Sequence, residues 1–121
     1  MWYCYMMRTT QRKGDTALAQ SIATFTKLGY DVLLPITESA AYDLAIDTGT
    51  AILRVQAKYS SLKEVDLRNI HSNAQGYVVK KTTKDAYDWL YVLCADNKEY
   101  LVKECLEGRR SITFFDDRYL L

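Results

Sequence analysis

Tyr42-Asp43-Leu44-Ala45-Ile46-Asp47, followed after a short interruption by Ile52-Leu53-Arg54-Val55-Gln56-Ala57-Lys58, decides how this chain is read. Side chains alternate along a strand, so residues two apart share a face. On that rule Leu44, Ile46, Leu53, Val55 and Ala57 make one apolar face, while Asp43, Asp47, Arg54, Gln56 and Lys58 make a polar one. Gly49-Thr50, between the two stretches, is a Gly-X pair suited to a two-residue type II′ turn. Pairing across that turn sets Thr48 opposite Ala51 and, continuing the register, Asp43 opposite Gln56. A carboxylate, an amide oxygen and an ammonium group then gather on one side of a hairpin. That combination suits a divalent cation and a phosphodiester. By spacing alone, the same residues also make an ordinary wet hairpin face with cross-strand ion pairs.

Outward from the hairpin, the spacing of Leu18, Ile22 and Phe25 predicts a helix over about Lys13 to Leu28, with Gly29 as its stop. Asp15 falls at the start of that helix or within its first turn, where negative charge is favoured. Tyr30 to Leu34 reads as a short strand ended by Pro35, and Thr37 to Ala41 as a loop. The polar stretch from Tyr59 to Asn73 is expected to be partly helical around Lys63 to Asn69. Gln75 to Lys81, Trp89 to Ala95, Tyr100 to Lys103 and Ser111 to Phe115 read as strands, with a turn at Asp96-Asn97-Lys98. A helix followed by a mixed sheet, with later elements covering the second face, is an α/β arrangement.

With 121 residues the chain is expected to form one domain around one core. Apolar residues make up 49% of it, which argues for a folded globule and against disorder. The net charge of +1 supplies no global field for a polyanion, so attraction would rest on local patches. Lys80, Lys81 and Lys84 form one basic cluster, Arg8, Arg12 and Lys13 a second, and Arg109 and Arg110 a third. Plain solvated surface is the alternative reading of each. Cys4, Cys94 and Cys105 are three, widely spaced and without a CxxC pair, so a zinc site or disulfide framework is not expected. A reducing, cytoplasmic or intracellular setting fits them better. The apolar start, Met1 to Met7, is too short to cross a bilayer and fits a strand, an interface segment or an extension ahead of a start at Met6 or Met7, with residues 1–11 the candidate N-terminal extension. His71 is the only histidine, so no Ser-His-Asp or Cys-His arrangement is supported. Tyr87, Trp89, Tyr91 and Tyr100 follow strand alternation and point to packing more than to base stacking.

An Asp on one strand, then an acidic or amide residue, any residue and a Lys on the next, resembles the PD-(D/E)xK nuclease signature. The flanks agree: Lys13-Gly14-Asp15 near a helix start, Gly29-Tyr30-Asp31-Val32 with Pro35, Tyr42-Asp43-Leu44, and Arg54-Val55-Gln56-Ala57-Lys58. In that order they resemble the small endonucleases associated with group I introns, relatives of the archaeal Holliday-junction resolvases. The resemblance is strongest from Arg12 to Ser60 and continues more thinly over Asp88 to Val102. It implies a restriction-endonuclease-like core, with the N-terminal helix packed on a mixed central sheet.

The resemblance further implies a metal-dependent DNA endonuclease of homing or mobile-element type, hydrolysing phosphodiester bonds with Mg²⁺ or Mn²⁺. Asp43, Gln56 and Lys58 would be its catalytic residues. Asp43, the Gln56 side-chain oxygen and the Ala57 backbone carbonyl would hold the cation, with Asp15 as a further candidate ligand. Lys13, Arg54, Lys80, Lys81 and Lys84 are the candidate DNA contacts. A homodimer or homotetramer is expected, since cutting two strands calls for two sites, and no membrane association is expected. A Holliday-junction-resolvase-like nuclease and an inactive nuclease-fold DNA-binding or interaction module remain as alternatives. The second is favoured by Leu18, which stands where the family's helix carries a Glu, and by Gln56 in place of the commoner Glu.

Overall fold

The computed structural model describes residues 9–61, 64–66, 69–73, 76–80, 85–106, 111–113 and 117–121. Helix α1 (Thr9–Lys27) precedes strands β1 (Asp31–Leu33), β2 (Leu44–Asp47), β3 (Ile52–Ser60), β4 (Glu64–Asp66), β5 (Asn69–Asn73), β6 (Gly76–Lys80), β7 (Trp89–Cys94), β8 (Glu99–Val102) and β9 (Ser111–Thr113). A short 3₁₀ turn (Asp117–Tyr119) follows. The main sheet has the order β1-β2-β3-β7-β8. Only the β3–β7 pairing is parallel, so the sheet is mixed, as expected. β4 pairs with β9 and β5 with β6 as separate two-stranded ribbons.

The helix begins at Thr9, a turn before the expected Lys13, so residues 9–11 belong to it and Asp15 lies in its second turn instead of capping it. Its end follows the sequence closely. Gly29 has φ +91°, its N–H donates to the Thr26 carbonyl (3.0 Å), and the Tyr30 N–H donates to that of Phe25 (3.1 Å). These are the two bonds of a Schellman cap. The Tyr30 and Phe25 rings close the motif with centroids 6.3 Å apart.

Ala17, Ser21 and Phe25 are the fully buried positions of α1, with Leu18 and Ile22 packed alongside. The buried Ser21 hydroxyl is satisfied by the Leu18 carbonyl (2.6 Å). Leu44, Ile46, Val55, Tyr91, Leu93 and Leu101 receive this face. Behind the sheet, Leu90, Val92, Cys94, Tyr100, Val102 and Leu106 form a second apolar layer with Tyr87. Cys94 is buried there as a small core residue. A polar bridge ties helix to sheet: the Tyr91 hydroxyl donates to Glu99 Oε1 (2.6 Å), and the Thr24 hydroxyl donates to the same oxygen. Burial and the adjacent Glu99 carboxylate push the Tyr91 phenol far above its ordinary value.

One expectation is overturned. The stretch from Lys63 to Asn69 is not a helix where described; Glu64–Asp66 and Asn69–Asn73 are strands. Their partners, β9 and β6, lie far along the chain or across a tight connection, and polar residues offer no periodicity that betrays such pairing. No helix among the described residues is long and apolar enough to cross a membrane.

Candidate active site

The turn expected at Gly49-Thr50 forms. The Thr48 N–H donates to the Ala51 carbonyl (3.0 Å), Gly49 has φ +92°, and its own N–H is held by Asp47 Oδ1 (2.8 Å). This fixes the register Leu44↔Val55, Ala45↔Arg54, Ile46↔Leu53 and Asp47↔Ile52. Pairing ends at Leu44, whereas β3 runs on to Ser60. At that divergence the Asp43 N–H also donates to the Val55 carbonyl (3.0 Å), so two successive residues face one, as in a β-bulge. A bulge re-aims the side chain it carries.

The backbone of β3 shows what lies on the edge this leaves open. The Arg54 and Ser60 carbonyls accept from Asp88 N (2.9 Å) and Ala95 N (3.0 Å), on the β7 side. The Val55 carbonyl and the Ala57 N–H instead meet Asp43. Even-numbered residues therefore face β7 and odd-numbered ones the β2 side, and a strand residue points its N–H and C=O to the same edge. The Ala57 carbonyl thus lies on the open edge.

A cavity of about 550 Å³ occupies this edge. Asp43, Gln56, Ala57, Lys58, Tyr59 and Ser61 line it from the strands; Thr10, Lys13, Gly14, Asp15 and Leu18 line it from α1. The three residues singled out in the sequence are brought together. Asp43 Oδ2 accepts from Gln56 Nε2 (2.7 Å) and from Ala57 N (2.9 Å). Both bonds end on one oxygen, which leaves Oδ1 for another partner. Burial holds the Asp43 carboxyl above the usual carboxylate value, with the Ala57 N–H and the positive charge of Lys58 pulling the other way. Gln56 was expected to present its oxygen; the structure adds a second job, since its amide nitrogen steadies Asp43.

Lys13 also reaches the cavity, with Nζ 3.4 Å from Ser61 Oγ and 5.7 Å from the Tyr59 ring centroid. Asp15 is on the rim, exposed. Leu18 packs against the helix-side core while lining the cavity, so the wall facing Asp43 carries a hydrocarbon where the resemblance led one to look for an acid. Arg54 lies one residue pair away and is engaged by Asp88, whose Oδ2 accepts from Arg54 N (2.8 Å) and Nε (3.3 Å). Those bonds, the backbone one foremost, lower the Asp88 carboxyl. Lys81, Lys84, Arg8, Arg109 and Arg110 lie outside the described residues, as does the side chain of Lys80.

Tyr59 and Ser61 were missed in the sequence. The cue was available: a strand reading that stops at Lys58 hides that the apolar-polar alternation continues through Tyr59 to Ser60. Among the described residues no group of three or more His, Cys, Asp or Glu side chains is gathered to hold a metal. The donors present fit a hard divalent cation of modest affinity: Asp43 Oδ1, Gln56 Oε1 and the Ala57 carbonyl are all oxygens.

A family described as PD-(D/E)XK endonuclease matches residues 8–113, most of the chain. The chain belongs to the PD-(D/E)XK endonuclease family. A solved bacterial homing endonuclease, I-Ssp6803I, is similar to it with a TM-score of 0.75 and 25% identity, over 88% of this chain and 78% of that one. No curated protein matches it significantly. The restriction-endonuclease-like architecture expected of a PD-(D/E)XK protein is therefore present, and family and neighbour both support nuclease function.

Proposed function

We propose that this protein is a metal-dependent DNA endonuclease that hydrolyses phosphodiester bonds, with its chemistry at the cavity beside β3. The observation that supports it most is the convergence of Asp43, Gln56, the Ala57 peptide and Lys58 where β2 and β3 part. Hydrolysis adds water across a P–O bond, and negative charge grows on the phosphorus oxygens and on the leaving oxygen. When bound, a divalent cation polarises the phosphate and lowers the pKa of its water. Asp43 Oδ1, Gln56 Oε1 and the Ala57 carbonyl are the atoms that would hold it.

The rest of the work falls to side chains. Lys58 donates hydrogen bonds and charge to the phosphorus oxygens as their negative charge develops. Gln56 and the Ala57 N–H keep Asp43 in place before substrate arrives, so little reorganisation is left for the reaction itself. Lys13 contacts the phosphate backbone at the cavity mouth. Two such sites, related by symmetry in a homodimer or tetramer, cut both strands. A homing or mobile-element role is the type of nuclease this reading favours, by analogy with the structural neighbour.

Cleavage of supercoiled plasmid, linear duplex and a four-way junction, with and without Mg²⁺ or Mn²⁺, tests the assignment. Divalent-dependent cutting lost in folded Asp43→Asn and Lys58→Met proteins is the expected result; undiminished cutting by either variant refutes it. Preference for the junction would select the resolvase-like alternative. Leu18 in the cavity wall favours a second reading, a nuclease fold kept as a DNA-binding module. Retained DNA binding with no Mn²⁺ uptake would establish that one instead.

A further inference from the structure

β1 is an end strand of the main sheet, and among the described residues its outer side pairs with nothing. The hydrogen-bonding phase of that side can be traced across the sheet from the hairpin turn. The Thr48 N–H reaches the Ala51 carbonyl (3.0 Å), and bonded and non-bonded pairs alternate along an antiparallel ladder. Leu44 and Ile46 therefore bond towards β3, and Ala45 and Asp47 towards β1. The latter two are opposite Leu33 and Asp31, which leaves the N–H and C=O of Val32 turned outwards, with those of Leu34 next in the same phase. Pro35 falls in the opposite phase, so its missing N–H takes nothing from that border.

The border is also apolar. Leu28 (52% exposed), Leu33 (43%), Leu34 (55%) and Ile36 (99%) all leave much of their surface open. At those exposures they offer on the order of 450 Å² per chain, and two copies would cover on the order of 900 Å², close to the roughly 1,000 Å² of a specific interface before the paired backbone is counted. Proteins usually guard an open strand edge with lysine, a bulge or a covering element. No lysine or arginine occurs from Gly29 to Ala41, and a net charge of +1 leaves little repulsion between copies.

Outward backbone groups in this phase select an extended chain, and the edge is complementary to itself. A two-fold axis at Leu33 pairs Val32 of each copy with Leu34 of the other through four N–H···O=C bonds. Centring on Val32 instead would call on the Tyr30 N–H, which already donates to the Phe25 carbonyl (3.1 Å). With the axis at Leu33, the two Leu33 side chains meet on the sheet face opposite the one that Val32 shares with α1. Asp31 then lies opposite Pro35 and not its own copy, and Ile36 is carried towards Leu28 of the other chain.

We propose that β1 is the surface through which two copies of this chain join edge to edge, continuing their main sheets as one. The inference rests on the nuclease reading for its choice of a second copy as occupant, and it gives that homodimer an interface. Assembly is measured without turnover, so the two can fail separately.

Leu33→Cys sets two thiols opposite each other in a non-bonded pair, with Cα atoms about 4.5 Å apart and within disulfide range. Mild oxidation of the full-length variant should give a covalent dimer on a non-reducing gel, with peptide mass spectrometry joining position 33 to position 33. Leu33→Lys sets like charges opposite each other instead, and sedimentation velocity should show the dimer dissociation constant raised about tenfold or more, with the far-UV circular dichroism kept. A wild type that sediments as a monomer at micromolar concentration, a dimer that Leu33→Lys leaves equally tight, or no bridge at position 33 would overturn the interface. So would a bridge from position 33 to Cys4, which would put the chain's own N-terminal stretch on this edge. Divalent-dependent cleavage alongside any of those results would leave the nuclease reading standing. A bridged dimer that never cuts would remove that reading and keep the interface.

Discussion

Replacing Asp43 with asparagine separates the stability of this site from its chemistry. Both protein hydrogen bonds to the side chain end on Oδ2, at 2.7 and 2.9 Å, so an amide oxygen placed there keeps them. The position of Oδ1 passes to an NH₂ group, which cannot ligate a cation. In the absence of divalent ions the ionised carboxylate is a half-buried charge, an arrangement that costs about 3 kcal/mol or more before its partners offset it. Turning two charge-assisted bonds into neutral ones gives up about 1 kcal/mol each. The difference leaves Asp43→Asn more stable by about 1 kcal/mol, or roughly 4 °C in Tm for a chain of this size.

The sign of the pH dependence follows from the raised Asp43 carboxyl. The folded protein binds this proton more tightly than the unfolded chain, so the cost of ionisation is absent below the unfolded value of about 4 and complete above the folded one. The variant's advantage should be full at pH 8 in EDTA and gone by about pH 4. Thermal denaturation followed by circular dichroism at several pH values measures it. Addition of 10 mM Mn²⁺ should then stabilise the wild type by about 1.4 kcal/mol, for a dissociation constant of about 1 mM, and leave the variant unmoved. A variant less stable than the wild type at pH 8 in EDTA, or an advantage that ignores pH, would refute this account of the site.

Other consequences are as direct. Lys58→Met should lower single-turnover plasmid cleavage about 10²- to 10³-fold, the usual loss when one donor to a developing oxyanion is removed, with duplex binding largely kept. Tyr91→Phe removes a buried hydroxyl bonded to a carboxylate and should cost about 1.5–3 kcal/mol in urea unfolding, with the nicking pattern unchanged. Because the folded state holds the Tyr91 proton far more tightly, wild-type stability should begin to fall above about pH 10, where the unfolded phenol ionises, and Tyr91→Phe should flatten that decline. Gly49→Ala forces a side chain onto φ +92° and should destabilise the hairpin by about 1 kcal/mol or more, read as a lower urea midpoint.

Much of the fold was legible because the informative segments are amphipathic and end in residues with one conformational meaning. Gly29 and Gly49 each mark a positive φ, and the faces of Leu44, Ile46, Leu53 and Val55 leave one workable register. The failures have physical causes. Polar strands such as Asn69–Asn73 are specified by their partner's backbone, which composition does not record. Leu18 and Ile22 stand out by size in the sequence, yet they are only partly buried, whereas the small Ala17 and Ser21 are fully buried beside Phe25. Gln56 was read as an oxygen donor to a cation; that its nitrogen fastens Asp43 depends on which end of an amide faces a carboxylate, and only the fold decides that.

One of the groups at the cavity is written in no side chain. The Ala57 peptide meets Asp43 through its N–H and turns its carbonyl to the same open border, so position 57 contributes through atoms common to almost every amino acid. That is a reason for a wildcard to sit between two constrained letters of such a signature. Proline is the exception, lacking the hydrogen, and a scan of substitutions there should find most replacements tolerated and that imino acid ruinous.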